Sequence, residues 1–133
     1  MNNKCLLTVI IPVYNTEKYI KRCIKSVLNQ SLKYIKIIII NDASTDLSSL
    51  IIHDFESYEH IKIIENPYNL GQGESRNIGL NLVDTDYFCF LDSDDWVDTL
   101  SYETAVRALE ENRNCDMAIF GIKTEYENSR CSA

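Results

Sequence analysis

The sequence predicts an α/β fold of three layers, in which a mostly parallel β-sheet lies between helices. Short, continuous apolar runs, typical of strands covered on both faces, alternate with segments in which apolar residues recur every three or four positions. A strand followed by a helix and another strand implies right-handed crossovers, which place the strands parallel. The length of 133 residues fits one domain.

Five apolar runs are predicted to be strands. They are rich in β-branched and aromatic residues and have the length of buried strands. In chain order these runs cover residues 6–11, 35–40, 61–64, 87–91 and 117–122.

Four helices are predicted between these strands, because apolar side chains form one stripe in each intervening segment. The stripes run through residues 20–28, 47–55, 75–82 and 102–109. The second stripe consists of Leu47, Leu50, Ile51 and Phe55. In the third, the small residues Ser75 and Gly79 would let the helix pack close to the sheet.

Residues that favour helix starts precede the first two stripes. Asn15 or Thr16 is the candidate cap of the first helix, with Glu17 near the positive end of the helix dipole. Asp46 is the candidate cap of the second helix.

The composition excludes several classes of protein. A net charge of −7 argues against a protein that binds nucleic-acid backbones and against a basic membrane-surface helix. Five cysteines, an odd number without CxxC spacing, indicate a reducing compartment and no zinc site. No run approaches the ~20 apolar residues of a membrane span, and no export signal is visible. We therefore expect a cytoplasmic protein without a transmembrane segment.

Polar residues collect directly after four of the predicted strands. They occupy positions 12–15, 41–46, 66–71 and 92–95. The ends of parallel strands meet at one edge of the sheet, and open α/β sheets bind ligands at that edge. The sequence therefore predicts a binding site there. His53 and His60 are expected at the surface, away from it.

Three carboxylates within four residues form the sharpest polar feature. Asp92, Asp94 and Asp95 repel one another unless a cation lies among them, and oxygen ligands suit Mg²⁺ or Mn²⁺. The alternative is a solvated acidic turn before the next helix. We favour a metal site because the cluster directly follows a buried run, which would hold it rigidly.

Asp42 and Arg76 are further candidates for ligand contacts. Asp42 could accept a hydrogen bond from a base or a ribose, or it could stabilise a turn, and its position alone favours neither. Arg76 follows two glycines at a helix start and suits a phosphate, or it pairs with Glu74 or Asp92. The glycine spacing differs from the dinucleotide fingerprint, so we reject hydride transfer.

Four motifs together resemble family 2 glycosyltransferases, which are inverting enzymes with a nucleotide-diphospho-sugar transferase (glycosyltransferase A-type) fold. The motifs are VIIPVYN (9–15), NDASTD (41–46), NLGQGESRNIGL (69–80) and FLDSDDW (90–96). They occur in the family's order and span nearly the whole chain.

The resemblance implies roles for particular residues. The nucleoside pocket would be lined by Pro12, Val13, Tyr14 and Glu17. Asp42 would accept a hydrogen bond from the base, most often uracil, and Arg76 would lie near the phosphates. Asp92 and Asp94 match the D-x-D motif that holds the ribose and a divalent metal, Mn²⁺ or Mg²⁺, with Asp94 as the more direct ligand.

The resemblance also implies an activity. A sugar would pass from a nucleotide-diphospho-sugar, such as a UDP-sugar, to a hydroxyl of a saccharide or lipid-linked acceptor with inversion, in surface polysaccharide or glycolipid synthesis. The full-length protein could then lie peripherally at the inner face of the membrane. The alternative is a non-catalytic fragment that binds nucleotide and metal. A nucleotidyltransferase is disfavoured because the loop 12–17 lacks glycine.

Family catalytic domains are longer, and their later half carries the general base. We therefore expect residues 1–122 to be the N-terminal, donor-binding part of a truncated domain. Residues 123–133 would be a polar tail at the truncation point, and the catalytic base would lie beyond Ala133.

Overall fold

A computed structural model describes residues 4–119 and 121–124. Strands and helices alternate through it, which confirms the predicted α/β class. The elements are β1 (Leu7–Val13), α1 (Ile20–Leu28), β2 (Ile35–Asn41), α2 (Ser48–His53), β3 (Ile61–Glu65), α3 (Gln72–Leu80), β4 (Tyr87–Phe90) and α4 (Ser101–Glu111). None of the helices formed by these residues combines the length and the apolar composition that a bilayer crossing requires.

The four strands form one parallel sheet in the order β3-β2-β1-β4. β1 and β2 pair along their whole length, from Leu7 opposite Ile35 to Val13 opposite Asn41. The chain adds β2 and β3 on one side of β1 and then places β4 on the other side. This reversal of direction next to β1 is the position at which open α/β sheets bind ligands.

The two faces of the sheet are covered unequally. On one face, buried side chains of α1, α2 and α4 pack on β1 and β2 around Val9, Ile11 and Ile39. On the other face, α3 contacts β1 and β2. The result is the predicted three-layer arrangement, with its main core on the α1 side.

Close approach of α3 to the sheet depends on Gly79. This residue and Ser75 are the buried positions of the helix. A Cβ placed on Gly79 would overlap Cγ2 of the fully buried Ile10. The expectation that small residues four apart permit close packing is therefore confirmed.

The predicted fifth strand is not formed by the described residues of its segment. Residues 117–119 and 121–122 have no strand geometry, and Met117 and Ile122 are 73% and 96% exposed. An apolar run becomes a strand only where another strand receives its hydrogen bonds, and these residues pair with none of β1–β4. Of the predicted tail, residues 125–133 lie outside the described part of the chain.

The predicted apolar stripe of α2 was partly wrong. Leu47 and Leu50 are 60% and 67% exposed, whereas Ser48 and Ile52 are buried. Ile51 and Phe55 pack against the core as expected. The helix is turned because the hydroxyl of Ser48 faces inward, where it accepts a hydrogen bond from the backbone N–H of Thr16 at 3.0 Å.

The predicted caps of α1 were also wrong. The helix begins at Ile20, after a turn, and no side chain caps it. Asn15 adopts a left-handed backbone (φ 52°), and its side-chain oxygen accepts the N–H of Thr45 at 2.8 Å. The Thr16 hydroxyl instead donates to Ser93. Contacts across the edge of the sheet thus outcompete local capping.

Candidate nucleotide-binding cleft

A cleft of about 390 Å³ opens at the carboxyl edge of the sheet. All four loops that follow the strands contribute to it, which confirms the predicted convergence. Its lining residues are Pro12, Val13, Tyr14, Thr16, Asp42, Asn69, Gly71, Gln72, Ser75, Asp92, Ser93 and Asp94. Asp42 and Asp94, which are 52 positions apart, therefore face the same space.

The loop after β1 forms one wall of the cleft. β1 extends to Val13, so Pro12 and Val13 end the strand, and Tyr14 follows with 48% of its surface exposed. These three residues line the cleft.

Glu17 lies elsewhere than the other three residues of the predicted nucleoside pocket. It is not among the residues that line the cleft. Its carboxylate accepts the backbone N–H of Leu47 at 3.0 Å, next to the start of α2. Asp46 accepts the backbone N–H of Glu17 at 3.2 Å. These two hydrogen bonds connect the loops after β1 and β2.

Hydrogen bonds also lower the pKa of the Asp46 carboxyl. Burial acts to raise the pKa of this carboxyl, but hydrogen bonds from Ser48 and from the Glu17 backbone outweigh it and lower the pKa. The Asp46 side chain accepts the backbone N–H of Ser48, the first residue of α2, at 2.8 Å. The N-cap of α2 is Leu47, which makes no capping hydrogen bond with its side chain, so the predicted cap at Asp46 was one position too early, although its carboxylate does accept the N–H of the first residue of the helix.

Asp42 is buried, with 3% of its surface exposed, and anchors the loop between β3 and α3. One oxygen accepts from Asn66 Nδ2 at 2.9 Å and from the Leu70 N–H at 2.8 Å. The other accepts from the Gly71 N–H at 3.0 Å. A carboxylate has about four acceptor positions, so Asp42 keeps capacity for one more donor from the cleft.

Arg76 and Gln72 hold Asp92 from the first turns of α3. Arg76 donates to Asp92 Oδ1 at 3.0 Å, and Gln72 Nε2 donates to the same oxygen at 3.2 Å. The guanidinium lies 5.7 Å from the centre of the Phe90 ring. Its buried Nε has no hydrogen-bond partner within the described part of the chain. Arg76 thus forms the ion pair that the sequence left open, but it is not among the residues that line the cleft.

Asp92, Asp94 and Asp95 satisfy a simple chemical test for a divalent cation. One carboxylate oxygen from each lies within 4.8 Å of the others. Burial raises the pKa of the Asp95 carboxyl, and repulsion from Asp94 and Asp92 raises it further. Three carboxylates held this close suit Mg²⁺ or Mn²⁺, which prefer oxygen ligands and relieve such repulsion.

Some residues near the cleft take roles that the sequence left open or missed. The guanidinium of the exposed Arg22 lies 3.7 Å from the centre of the half-buried Trp96 ring and occupies one face of it. Buried Asn66, which orients Asp42 and donates to Ser75 Oγ at 3.2 Å, was not singled out. Its position directly after β3, equivalent to that of Asp42 after β2, could have identified it.

The chain belongs to glycosyltransferase family 2, whose pattern it matches over residues 8–130. It is 38% identical over 113 residues to the glycosyltransferase GlyA of Streptococcus pneumoniae, a match that covers 85% of this chain and 16% of GlyA. It is 42% identical over 113 residues to an uncharacterized glycosyltransferase of Haemophilus influenzae, a match that covers 84% of this chain and 35% of that protein. The chain therefore spans about a third or less of these relatives.

Solved structures agree with this assignment of the family and identify the fold as glycosyltransferase A-type. S. aureus TarS, solved also with UDP and with UDP-GlcNAc, superimposes with a TM-score of 0.76 at 27% identity. The match covers 81% of this chain and 33% of the TarS chain. A mannosyltransferase of Pyrobaculum calidifontis, solved with GDP-Man and Mn²⁺, shares the fold with a TM-score of 0.63 at 19% identity, over 68% of this chain and 28% of that one.

Proposed function

We propose that this chain is the donor-binding part of a metal-dependent glycosyltransferase that uses a UDP-sugar. The observation that carries the proposal is the shared cleft, in which Asp42 and Asp94 face one space large enough for a nucleotide. The UDP and UDP-GlcNAc complexes of TarS support the choice of donor.

Different residues at the cleft would bind different parts of the sugar-nucleotide donor. Tyr14 and the remaining acceptor capacity of Asp42 would hold the nucleoside, with Pro12 and Val13 forming the floor. Arg76 does not itself line the cleft and would act near the diphosphate by holding Asp92 through its ion pair. Asp94 and Asp92, with Asp95 beside them, would hold Mn²⁺ or Mg²⁺. Such an ion supplies positive charge that stabilises a leaving diphosphate.

The reaction we propose is transfer of the sugar to an acceptor hydroxyl with inversion. The acceptor would be a saccharide or a lipid-linked saccharide, and the general base would lie beyond Ala133. This activity suits surface polysaccharide or glycolipid synthesis by a cytoplasmic protein that, at full length, lies peripherally on the inner face of the membrane.

Calorimetric titration of UDP tests donor binding. We expect UDP to bind in the presence of Mn²⁺ and to bind more weakly by roughly tenfold or more without it. Asp94→Asn should remove most of this dependence on Mn²⁺. The matched control is Asp98→Asn, which changes an exposed carboxylate outside the cleft. Equal UDP affinity with and without Mn²⁺ in the unmodified chain would refute the metal assignment.

Transfer requires a separate measurement. Release of UDP from a UDP-sugar, with and without saccharide acceptors, should be followed for this chain and for a form extended beyond Ala133. We expect both to bind UDP and only the extended form to transfer sugar at an appreciable rate. If neither transfers sugar although both bind UDP, a non-catalytic binding module becomes the better description.

A further inference from the structure

A line of hydrogen bonds connects His53, at the end of α2, to the loop that follows β2. His53 Nδ1 lies 2.9 Å from Glu56 Oε2, and Nε2 lies 2.7 Å from Glu65 Oε1. The other oxygen of Glu65 accepts from Asn41 Nδ2 at 2.8 Å. Asn41 is buried, and its side-chain oxygen accepts the backbone N–H of Ser44.

Both ring nitrogens of His53 therefore face carboxylate oxygens at hydrogen-bond distance. A neutral imidazole has one N–H, so it can donate to Glu56 or to Glu65 and would turn a bare nitrogen towards the other. The imidazolium donates to both. The positions of the two carboxylates therefore favour the protonated ring.

The far end of this line is Ser44, two positions after Asp42, which is the residue of this loop that lines the cleft. Ala43, between Asp42 and Ser44, has a left-handed backbone (φ 59°). The Ser44 hydroxyl accepts the backbone N–H of Asn15 at 3.2 Å, beside Tyr14 in the cleft lining. The side chain of Asn41 thus helps to hold the loop after β2, together with that of Asn15.

We propose that His53 is a positioning residue, whose protonated ring fixes Glu65 and, through it, Asn41 and the loop of residues 41–46 that borders the cleft. That this loop acts on UDP binding rests on the proposed function, whereas the link between His53 and the loop is independent of it. His53 is the last residue of α2 and does not line the cleft, so it acts only through these partners.

The direction of the pH dependence follows from the groups that act on the ring. The hydrogen bonds that the ring donates to Glu56 and then to Glu65 raise the pKa of His53 against a smaller opposing effect of burial, and both carboxylates also attract its charge. A pKa raised by folding contributes stability that is complete below the unfolded pKa, about 6.5. That stability is lost as the pH rises through the higher pKa of the folded protein.

NMR titration of the ligand-free chain tests the link itself. The chain has two histidines, so His60 is an internal reference for His53. We expect the Ser44 amide and the Asn41 side-chain NH₂ signals to shift with the midpoint of His53. These shifts should disappear in His53→Gln and persist in His60→Gln. The proposal would be overturned if the Ser44 and Asn41 signals do not shift with the midpoint of His53, or if they titrate in the same way in His53→Gln.

Affinity for UDP with Mg²⁺ tests the consequence for the cleft. At pH 6.0, His53→Gln should bind UDP roughly three- to tenfold more weakly than the unmodified chain, the effect of about one hydrogen bond. At pH 8.0 this difference should narrow, whereas His60→Gln should match the unmodified chain at both values. Comparison at each pH cancels the nucleotide's own titration.

The outcomes separate the two proposals. A difference between His53→Gln and the unmodified chain that is absent or equal at both pH values would contradict positioning by the protonated ring. Failure of the unmodified chain to bind UDP would refute the proposed function, and the titration of the ligand-free chain would still decide the role of His53.

Discussion

The buried carboxylate of Asp42 shows how one residue can serve both the fold and the ligand. Its three hydrogen bonds come from the loop between β3 and α3, at Asn66, Leu70 and Gly71. That loop carries Asn69 and Gly71 into the cleft lining. A residue that would contact the nucleotide therefore also sets the shape of the opposite wall.

Asp42→Asn should destabilise the protein and weaken UDP binding together. An amide in place of the carboxylate would turn its NH₂ group either towards Asn66 and Leu70 or towards the Gly71 N–H, so donor would face donor, although Gly71 would keep its bond to Asn69. We expect a loss of about 1–3 kcal/mol in the free energy of unfolding, measured by urea denaturation. The control, Asp98→Asn, should change stability by less than about 0.5 kcal/mol. Unchanged stability of Asp42→Asn would show that these hydrogen bonds contribute little.

At the residue scale, the sequence predicted where Asp42 lies but not what it contacts. Its position after a buried strand placed it at the edge of the sheet, and that prediction is confirmed. Its partners lie 24–29 positions further along the chain, and no local pattern encodes such pairings. For the same reason the role of His53 could not be predicted. Its surface position was expected, but its contact with Glu65, 12 positions away, was not.

At the element scale, α3 contains two glycines with opposite surroundings. Gly79 faces Ile10 across a gap too small for a methyl group, whereas a Cβ on Gly73 would meet nothing within 4 Å. Both lie within the helix, where alanine is favoured over glycine by about 1 kcal/mol. The pair therefore separates helix propensity from packing against the sheet.

Gly79→Ala should destabilise the protein although it favours the helix. Overpacking of a buried contact costs about 1–3 kcal/mol, which offsets the gain in propensity and leaves a net loss of up to about 2 kcal/mol. Gly73→Ala should stabilise the protein by up to about 1 kcal/mol. Thermal and urea unfolding of both variants provide the comparison. Equal stabilisation by both substitutions would show that α3 can move away from Ile10 without cost.

The elements themselves were predicted better than their ends and orientations. Apolar periodicity located four strands and four helices, because residues that are buried within a sheet or against it must be apolar at regular positions of the sequence. The start of α1 and the rotation of α2 depend on contacts such as those of Asn15 with Thr45 and of Thr16 with Ser48, which join different loops. The segment 117–122 has the composition of a strand, but composition does not specify a pairing partner.

At the scale of the whole molecule, the sheet is covered more completely on one face than on the other. Parallel sheets normally have both faces covered. Within the described part of the chain, α3 is the helix that covers the second face, and it contacts β1 and β2. Phe88 and Phe90 on the edge strand β4 remain 49% and 40% exposed, with their rings packed edge to face at 5.8 Å. No strand among the described residues pairs with the outer edge of β4, and an exposed aromatic pair at such an edge favours self-association.

Phe88→Thr should reduce self-association of this chain at a small cost in stability. Threonine retains β-strand propensity, and loss of the aromatic pair should cost about 1 kcal/mol. Sedimentation velocity over a range of protein concentrations should show larger species for the unmodified chain than for the variant. The control is Leu50→Gln, which removes a more exposed apolar side chain from α2, on the other side of the sheet. If Leu50→Gln lowers association as much as Phe88→Thr does, general surface hydrophobicity and not the edge of the sheet drives it.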